Sequence, residues 1–405
     1  MGIPKFGWPT AQECFHAAKT VGLKLRSGGV VQFSELARTT LTPFRAHPLL
    51  PNGHLQTFWT VATGADIPLY YGRKIMVAKD GGTYTLDFVV LPSEAHTAPG
   101  LWHRTRYLSK EEQDSLASED SKPMLLALHG LTGGSHELYL RAVLAPLVER
   151  YGWAACVMNA RGCAKSKITT HQLFNARVTT DVRETVEFLR KTFPNRPLYG
   201  VGFSLGANIF ANYLGEEGDS CVLKSAALCS NPWNLEMTNA ALHRSWLGAE
   251  VYSKAMGKSL KGLFEDQYEV LANDPKIDVE LVRKSKYIWE FDRDLTSRVF
   301  GYATVGAYYR DASSVDRLLN IRIPTFIVHA EDDPIALKDG IPYDEVKSNP
   351  YAFLVQTSHG GHLSWFEMNG ERWFARTVIE YFRKMQDKVE EVLPIKLEDQ
   401  IKAKL

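Results

Sequence analysis

The strongest chemical signal in the chain is a serine with a glycine two residues away on each side, Gly202-Phe203-Ser204-Leu205-Gly206. Where such a string joins a strand to a helix, the turn is tight enough that the flanking positions need glycine, and the hydroxyl is thrust out at the helix N-terminus. There the positive end of the helix dipole faces any negative charge developing on the oxygen. A serine hydroxyl is a weak nucleophile at neutral pH, so a base must take its proton and an acid must orient that base. In strand-to-helix sites of this kind the acid follows the serine and the histidine comes last. Glu331-Asp332-Asp333-Pro334 supplies the acid, with Asp333 chosen and Asp332 or Glu331 open as alternatives. Ser358-His359-Gly360-Gly361-His362 supplies the base; the paired glycines favour His362, with His359 as its competitor. The chemistry open to Ser204, Asp333 and His362 is acyl transfer through a covalent intermediate on the serine.

Acyl transfer also needs donors for the oxyanion of the tetrahedral intermediate. One is expected from the backbone N–H of Leu205, the residue after the serine. The other is expected from Leu131, in the loop His129-Gly130-Leu131-Thr132-Gly133-Gly134-Ser135, whose glycines allow close approach of the backbone. His129, His47 and His54 read as structural histidines, and Arg161 with Cys163 as part of a structural loop. No histidine has an aspartate five positions later, so the HxxxxD device of glycerolipid acyltransferases is absent and any transfer must pass through Ser204.

These residues need a scaffold, and from Pro123 onward short apolar runs alternate with helical patterns, as in a parallel sheet with crossover helices. Strands are expected at Met124, Ala154, Pro197, Val222, Pro324 and Ala352, with helices over Leu138 to Tyr151, Thr180 to Phe193 and from Leu205. The result is an α/β class protein with a mostly parallel, doubly wound central sheet and helices on both faces. Residues 231–310 interrupt the series with many aromatics and read as a helical cap over the carboxyl edge of the sheet. Lys74 to Val77 and Thr83 to Leu91, joined by Asp80-Gly81-Gly82, read as an antiparallel hairpin at the sheet's edge, and Ser93 to Ser121 as a surface loop. The organisation expected is an N-terminal extension and edge hairpin (1–122), two parts of a core (123–230 and 311–388) around the cap, and a charged tail (389–405).

With 405 residues, 45% of them hydrophobic, the chain can bury a sizeable core. Its 47 basic and 46 acidic residues nearly cancel and form no basic arm, which argues against nucleic acid as a partner. Five cysteines without CxxC or Cys/His spacing argue against a disulfide framework and a metal site, and nothing calls for a cofactor. No secretory leader or myristoylation signal is read at the start, and no stretch has the length of a membrane span. Ala403-Lys404-Leu405 is a close variant of the SKL peroxisomal address, on a tail from Lys388 to Lys404 expected to be exposed; the alternative location is the cytoplasm. Oligomeric state is not legible.

The strings HGLTGGSHELYL, NARGC, GFSLGANI, HAEDDP and SHGGHLSW, with HPLLPNGHLQTF upstream, together resemble an α/β-hydrolase subfamily. It includes fungal medium-chain fatty acid ethyl ester synthase/esterases and related abhydrolase-domain lipases. The resemblance spans about Pro43 to Phe382 and implies the α/β-hydrolase fold with a helical cap insertion. Carried over by position, it puts the nucleophile on Ser204, the acid on Asp333 and the base on His362. It implies hydrolysis or alcoholysis of short- to medium-chain acyl esters or glycerolipids, with an acyl ester or thioester and an alcohol or water as small-molecule partners. A second reading is a biosynthetic O-acyltransferase of fungal secondary metabolism that draws on acyl-CoA in the peroxisome. A third is a catalytically silent hydrolase-fold binding protein, against which the complete set of three residues speaks.

Overall fold

The computed structural model describes residues 7–63, 66–92 and 98–395. Its main sheet is built from β1 (Gln12–His16), β2 (Tyr70–Val77), β3 (Thr83–Val90), β4 (Thr105–Tyr107), β5 (Met124–Leu128), β6 (Ala154–Asn159), β7 (Leu198–Phe203), β8 (Ser225–Cys229), β9 (Thr325–Ala330) and β10 (Ala352–Thr357). Across the sheet the order is β1-β10-β9-β8-β7-β5-β6-β3-β2-β4. The strands expected from the sequence, β5 to β10, form the contiguous parallel centre. Their near-continuous apolar runs are what a parallel sheet demands, since both of its faces are covered. Leu125 and Ala127 of β5 point into one apolar core, Met124, Leu126 and Leu128 into the other.

In chain order the principal helices are α1 (Gly53–Ala62), α2 (Leu138–Tyr151), α3 (Thr180–Thr192), α4 (Leu205–Glu217), α5 (Leu235–Leu242), α6 (Lys254–Asp266), α7 (Val305–Ala312) and α8 (Trp373–Lys388). One core joins α2 and α8, through Val143, Leu144, Phe374 and Phe382, to the sheet. The opposite core takes α3 and α4, through Val182, Val186, Phe210 and Leu214. From β5 the chain winds outward to β6, then crosses back to β7 and continues through β8 to β10 on the other side. That reversal leaves a crevice outside the carboxyl ends of β5 and β7, the place where open α/β sheets put their ligands.

Between β8 and β9 the chain forms α5 to α7 and two π-helical turns, Leu247–Ser253 and Asp292–Thr296. Leu260, Leu263, Phe264, Phe291 and Leu295 give this region an apolar cluster, which also packs Cys163 and Ile168. Its aromatics divide: Trp233, Phe264 and Phe291 are buried, whereas Trp246 stands in solvent.

Three expectations are corrected. The β2–β3 hairpin forms, but β4 pairs in parallel outside β2, so the hairpin is one strand in from the edge. The stretch Ser93 to Ser121 is therefore not only surface loop; besides β4 it holds the turn of helix Lys110–Asp114, where Ser109 and Glu112 form a capping box. The tail after Lys388 is not free at its start, because Val389–Leu393 pairs antiparallel with Gly22–Leu25, which pairs with Val30–Gln32. Val389 and Val392 pack on the core, outweighing the charge of the two glutamates between them. Ala403-Lys404-Leu405 lies outside the described residues.

Candidate active site

β7 ends at Phe203 and α4 begins at Leu205, so the corner between them is the single residue Ser204. Its backbone sits at φ 53°, ψ −121°, a conformation that costs a non-glycine residue on the order of 1–3 kcal/mol and survives only where surroundings enforce it. Enforcement comes from both flanks. A Cβ on Gly202 would lie 2.6 Å from the Ala207 Cα, and one on Gly206 would lie 2.3 Å from the His129 carbonyl oxygen. Only hydrogen fits at either position. The Ser204 N–H also donates to the Cys229 carbonyl at 2.9 Å, fixing the corner to β8.

The loop after β10 brings His362 to this corner. Gly361 turns at φ 62°, and a side chain there would meet the Gly53 carbonyl at 2.5 Å. The His362 N–H donates to Thr57 Oγ1 of α1 at 2.9 Å, and the Ser364 and Thr60 hydroxyls are bonded at 2.8 Å. Held in this way, the imidazole Nε2 lies 2.8 Å from Ser204 Oγ, while Nδ1 lies 2.8 Å from Asp333 Oδ2 and 3.1 Å from Oδ1.

Asp333 follows β9 and is buried. Its Oδ1 accepts the N–H groups of Ile335 at 2.9 Å and Ala336 at 2.8 Å. Burial alone would raise this carboxyl, but the His362 imidazole, its hydrogen bond and nearby His329 hold it below the ordinary aspartate value. The alternatives do other work. Asp332 Oδ1 accepts the Gly361 N–H at 3.0 Å, and burial raises its carboxyl. Glu331 pairs with Lys338 at 2.9 Å, toward solvent. His359 Nδ1 lies 3.0 Å from the Ser358 hydroxyl.

Leu131 and Leu205 both line the cavity that holds Ser204. The Leu205 N–H opens α4, where the helix offers it no acceptor. The neighbouring Gly130 N–H is already taken by the Tyr139 hydroxyl at 2.9 Å, whereas the Leu131 N–H has no protein acceptor among the described residues. His129 is structural: its Nδ1 bonds the Gly130 carbonyl at 2.6 Å and its Nε2 accepts the Ala160 N–H at 3.0 Å, while burial pushes it down to about 4. Further out, Ser135 Oγ donates to Asp87 at 2.5 Å and Asp87 pairs with Arg73 at 2.7 Å, both fully buried. Arg161 bridges Asp80 and Asp181, each at 2.7 Å, and burial pushes the Cys163 thiol well above its usual range.

The cavity above Ser204 is open to solvent on one side. Its walls are largely apolar, with Leu131, Phe174, Leu205, Leu260, Phe291 and Val299 among them. Among the described residues one carboxyl reaches it: Asp292, bonded to Thr296 at 2.8 Å and Tyr309 at 2.9 Å, which burial raises to about 6. Sequence reasoning did not assign roles to Thr57, Tyr139 or Asp292. Thr57 lies in HPLLPNGHLQTF, a string that stood out without a chemical reason. For Asp292 no local pattern gives a signal, because its burial depends on how the cap folds back.

Residues 123–367 match the family described as alpha/beta hydrolase fold. A monoacylglycerol lipase of Saccharomyces cerevisiae is 40% identical to this chain over 84% of it and 80% of the relative. The medium-chain fatty acid ethyl ester synthase/esterase 2 of the same yeast is 33% identical over 85% of this chain and 86% of its own. Phospholipase ABHD3 of Homo sapiens is 29% identical, covering 74% of this chain and 68% of its own. Among solved structures, an esterase of Pyrococcus furiosus aligns over 80% of this chain and 94% of its own at 16% identity and a TM-score of 0.47.

Proposed function

The chain belongs to the alpha/beta hydrolase fold family, and on that premise we propose that it is a carboxylic ester hydrolase acting on short- to medium-chain acyl esters through Ser204. The observation that carries the proposal is the unbroken relay from Ser204 Oγ to His362 Nε2 at 2.8 Å and from His362 Nδ1 to Asp333 at 2.8 Å. His362 takes the Ser204 proton as the oxygen attacks the ester carbonyl, and the resulting oxyanion is received by the N–H groups of Leu205 and Leu131. The imidazolium then gives its proton to the departing alkoxide, releasing the alcohol and leaving the acyl group on Ser204. Water, deprotonated by the same imidazole, attacks the acyl-enzyme; the imidazolium then returns the proton to Ser204 Oγ as its bond to the acyl carbon breaks, and the acid is freed. Asp333 keeps Nδ1 protonated throughout and offsets the imidazolium charge. The names of the relatives, lipases and an ester synthase/esterase, support the substrate class.

Alcoholysis of the same acyl-enzyme is the second reading. The apolar walls of the cavity favour an acyl chain and disfavour bulk water, and a relative bears the name of an ester synthase. Transfer succeeds only to the extent that an alcohol is positioned better than water. The test is a chain-length series of p-nitrophenyl esters, with and without ethanol, on the native protein and Ser204→Ala. The native protein is expected to favour short to medium chains and to take a fluorophosphonate on Ser204, while the variant loses labelling and about 10⁴-fold or more of kcat. Full activity in Ser204→Ala would refute the assignment. None of this depends on an address at Ala403 to Leu405, which localisation of a fluorescent fusion with and without Leu405 tests separately.

A further inference from the structure

Helix α1 is folded inside out. Facing the protein are Gln56, Thr57 and Thr60, and their polar atoms serve other segments. Gln56 Nε2 donates to the carbonyls of Leu50 at 3.1 Å and Phe366 at 3.3 Å, and its Oε1 accepts the Phe366 N–H at 2.7 Å. Facing solvent at helical spacing are Leu55, Phe58 and Trp59, 42%, 43% and 46% exposed, with Val61 beside them at 88%. Gly53–Ala62 contains no Asp, Glu, Lys or Arg. An ordinary surface helix has the opposite arrangement, and a contiguous exposed apolar stripe marks a contact surface. The stripe abuts the cap. Phe58 stacks on Tyr252 with ring centroids 5.7 Å apart, and the π-helical turn that holds Tyr252 starts beside Trp246, 72% exposed.

We propose that α1 and the Trp246 edge of the cap dock on a lipid surface. The area argues for lipid over a protein partner. The four side chains of the α1 stripe expose on the order of 400 Å², about half of what each side of a stable protein interface buries. The stripe also offers no charged side chain that would set a partner's register, whereas a lipid surface requires only apolar area and aromatic anchors. The choice of lipid rests on the ester-hydrolase reading, since an apolar ester is concentrated in such a phase. Docking by α1 would bring the helix that holds His362, through Thr57, up to the lipid boundary.

Flotation with neutral phosphatidylcholine vesicles tests this, comparing the native protein with the triple variant Leu55→Gln, Trp59→Gln, Val61→Gln. The bound fraction of the variant is expected to fall at least tenfold, with its melting temperature and its kcat/KM on a dissolved butyrate ester unchanged. If the triple variant melts early, Trp246→Gln alone is expected to lower binding about threefold. Failure of the native protein to float, or equal flotation of folded variants, overturns the proposal. So does a native dimer in light scattering that the triple variant splits, for then a second copy covers the stripe. Flotation reads docking whether or not the dissolved ester is turned over, so a failure of the hydrolase reading registers separately.

Discussion

Thr57 is nearly 150 residues before Ser204 in the chain and touches no reacting atom, yet removing its hydroxyl is expected to slow the reaction. Its Oγ1 donates to the Gly53 carbonyl at 2.7 Å and accepts the His362 N–H at 2.9 Å, so its orientation is fixed from both sides. Replacement water has little room, because a Cβ on Gly361 would already lie 2.7 Å from this oxygen. Thr57→Val keeps the shape and deletes both bonds. A half-buried N–H left without its partner costs about 1–3 kcal/mol, and the loop can recover that only by moving His362. If the movement is spent on the Ser204–His362 contact, a loss of about 1.4–2.8 kcal/mol in transition-state stabilisation is a fall of roughly tenfold to a hundredfold in kcat/KM. The fall is expected mainly in kcat, because the apolar cavity wall is untouched. Thr57→Ser, which keeps the oxygen, should recover most of the rate. Steady-state kinetics on a dissolved p-nitrophenyl ester, with thermal melts as a control, decides it. A Thr57→Val enzyme within twofold of native in kcat would refute the claim that α1 positions the base.

Two further outcomes follow from the carboxyls. Asp333→Asn should lower kcat about 10⁴-fold, since an amide facing Nδ1 favours the wrong imidazole tautomer, whereas Asp332→Asn should stay within tenfold because its oxygen only accepts a loop N–H; equal losses in kinetic assays would reopen the choice between them. Asp292 is raised by burial from an ordinary 3.8 to about 6, so the folded chain holds its proton more tightly and stability falls as pH climbs between those values. Asp292→Asn should therefore gain stability above about pH 6, by at most about 3 kcal/mol, and gain none below about pH 4. Urea midpoints measured across that range check it, and a difference between native and variant that does not vary with pH would sink it.

What could be read in the sequence was what is locally enforced. The parallel strands announce themselves because burial on both faces leaves no polar position in runs such as Met124–Leu128. Gly202 and Gly206 are visible because the Ser204 corner excludes any larger residue. The choice of Asp333 over Asp332 rested on position beside Pro334; in space it rests on which carboxylate meets Nδ1, something neighbouring acids cannot reveal in a string. β1 and the strand Val389–Leu393 escaped notice because each is five residues long and owes its pairing to a partner hundreds of residues away. Asp292 escaped for the same reason.

The string HPLLPNGHLQTF shows how a non-local demand can leave a local trace that sequence logic misreads. The loop that carries His362 leaves regular pairing and turns at Gly361, Leu363 and Trp365 with positive φ; the Trp365 N–H reaches the Gly360 carbonyl at 2.8 Å, but the N–H groups of Gly361, His362, Leu363 and Phe366 find no partner inside it. They must find partners elsewhere or lose stability. α1 supplies two of these: Gln56 binds Phe366 through both its N–H and its carbonyl, and Thr57 takes the His362 N–H, while Thr60 bonds the Ser364 hydroxyl; Asp332 and Ser230 take the N–H groups of Gly361 and Leu363. With its polar side chains turned inward for that purpose, the apolar residues of the same short helix have only the outward face left. The exposed Leu55, Phe58 and Trp59 are thus the geometric complement of the polar support beneath them. The precision with which His362 meets Ser204 and the apolar surface beside the cap are two consequences of one inverted helix.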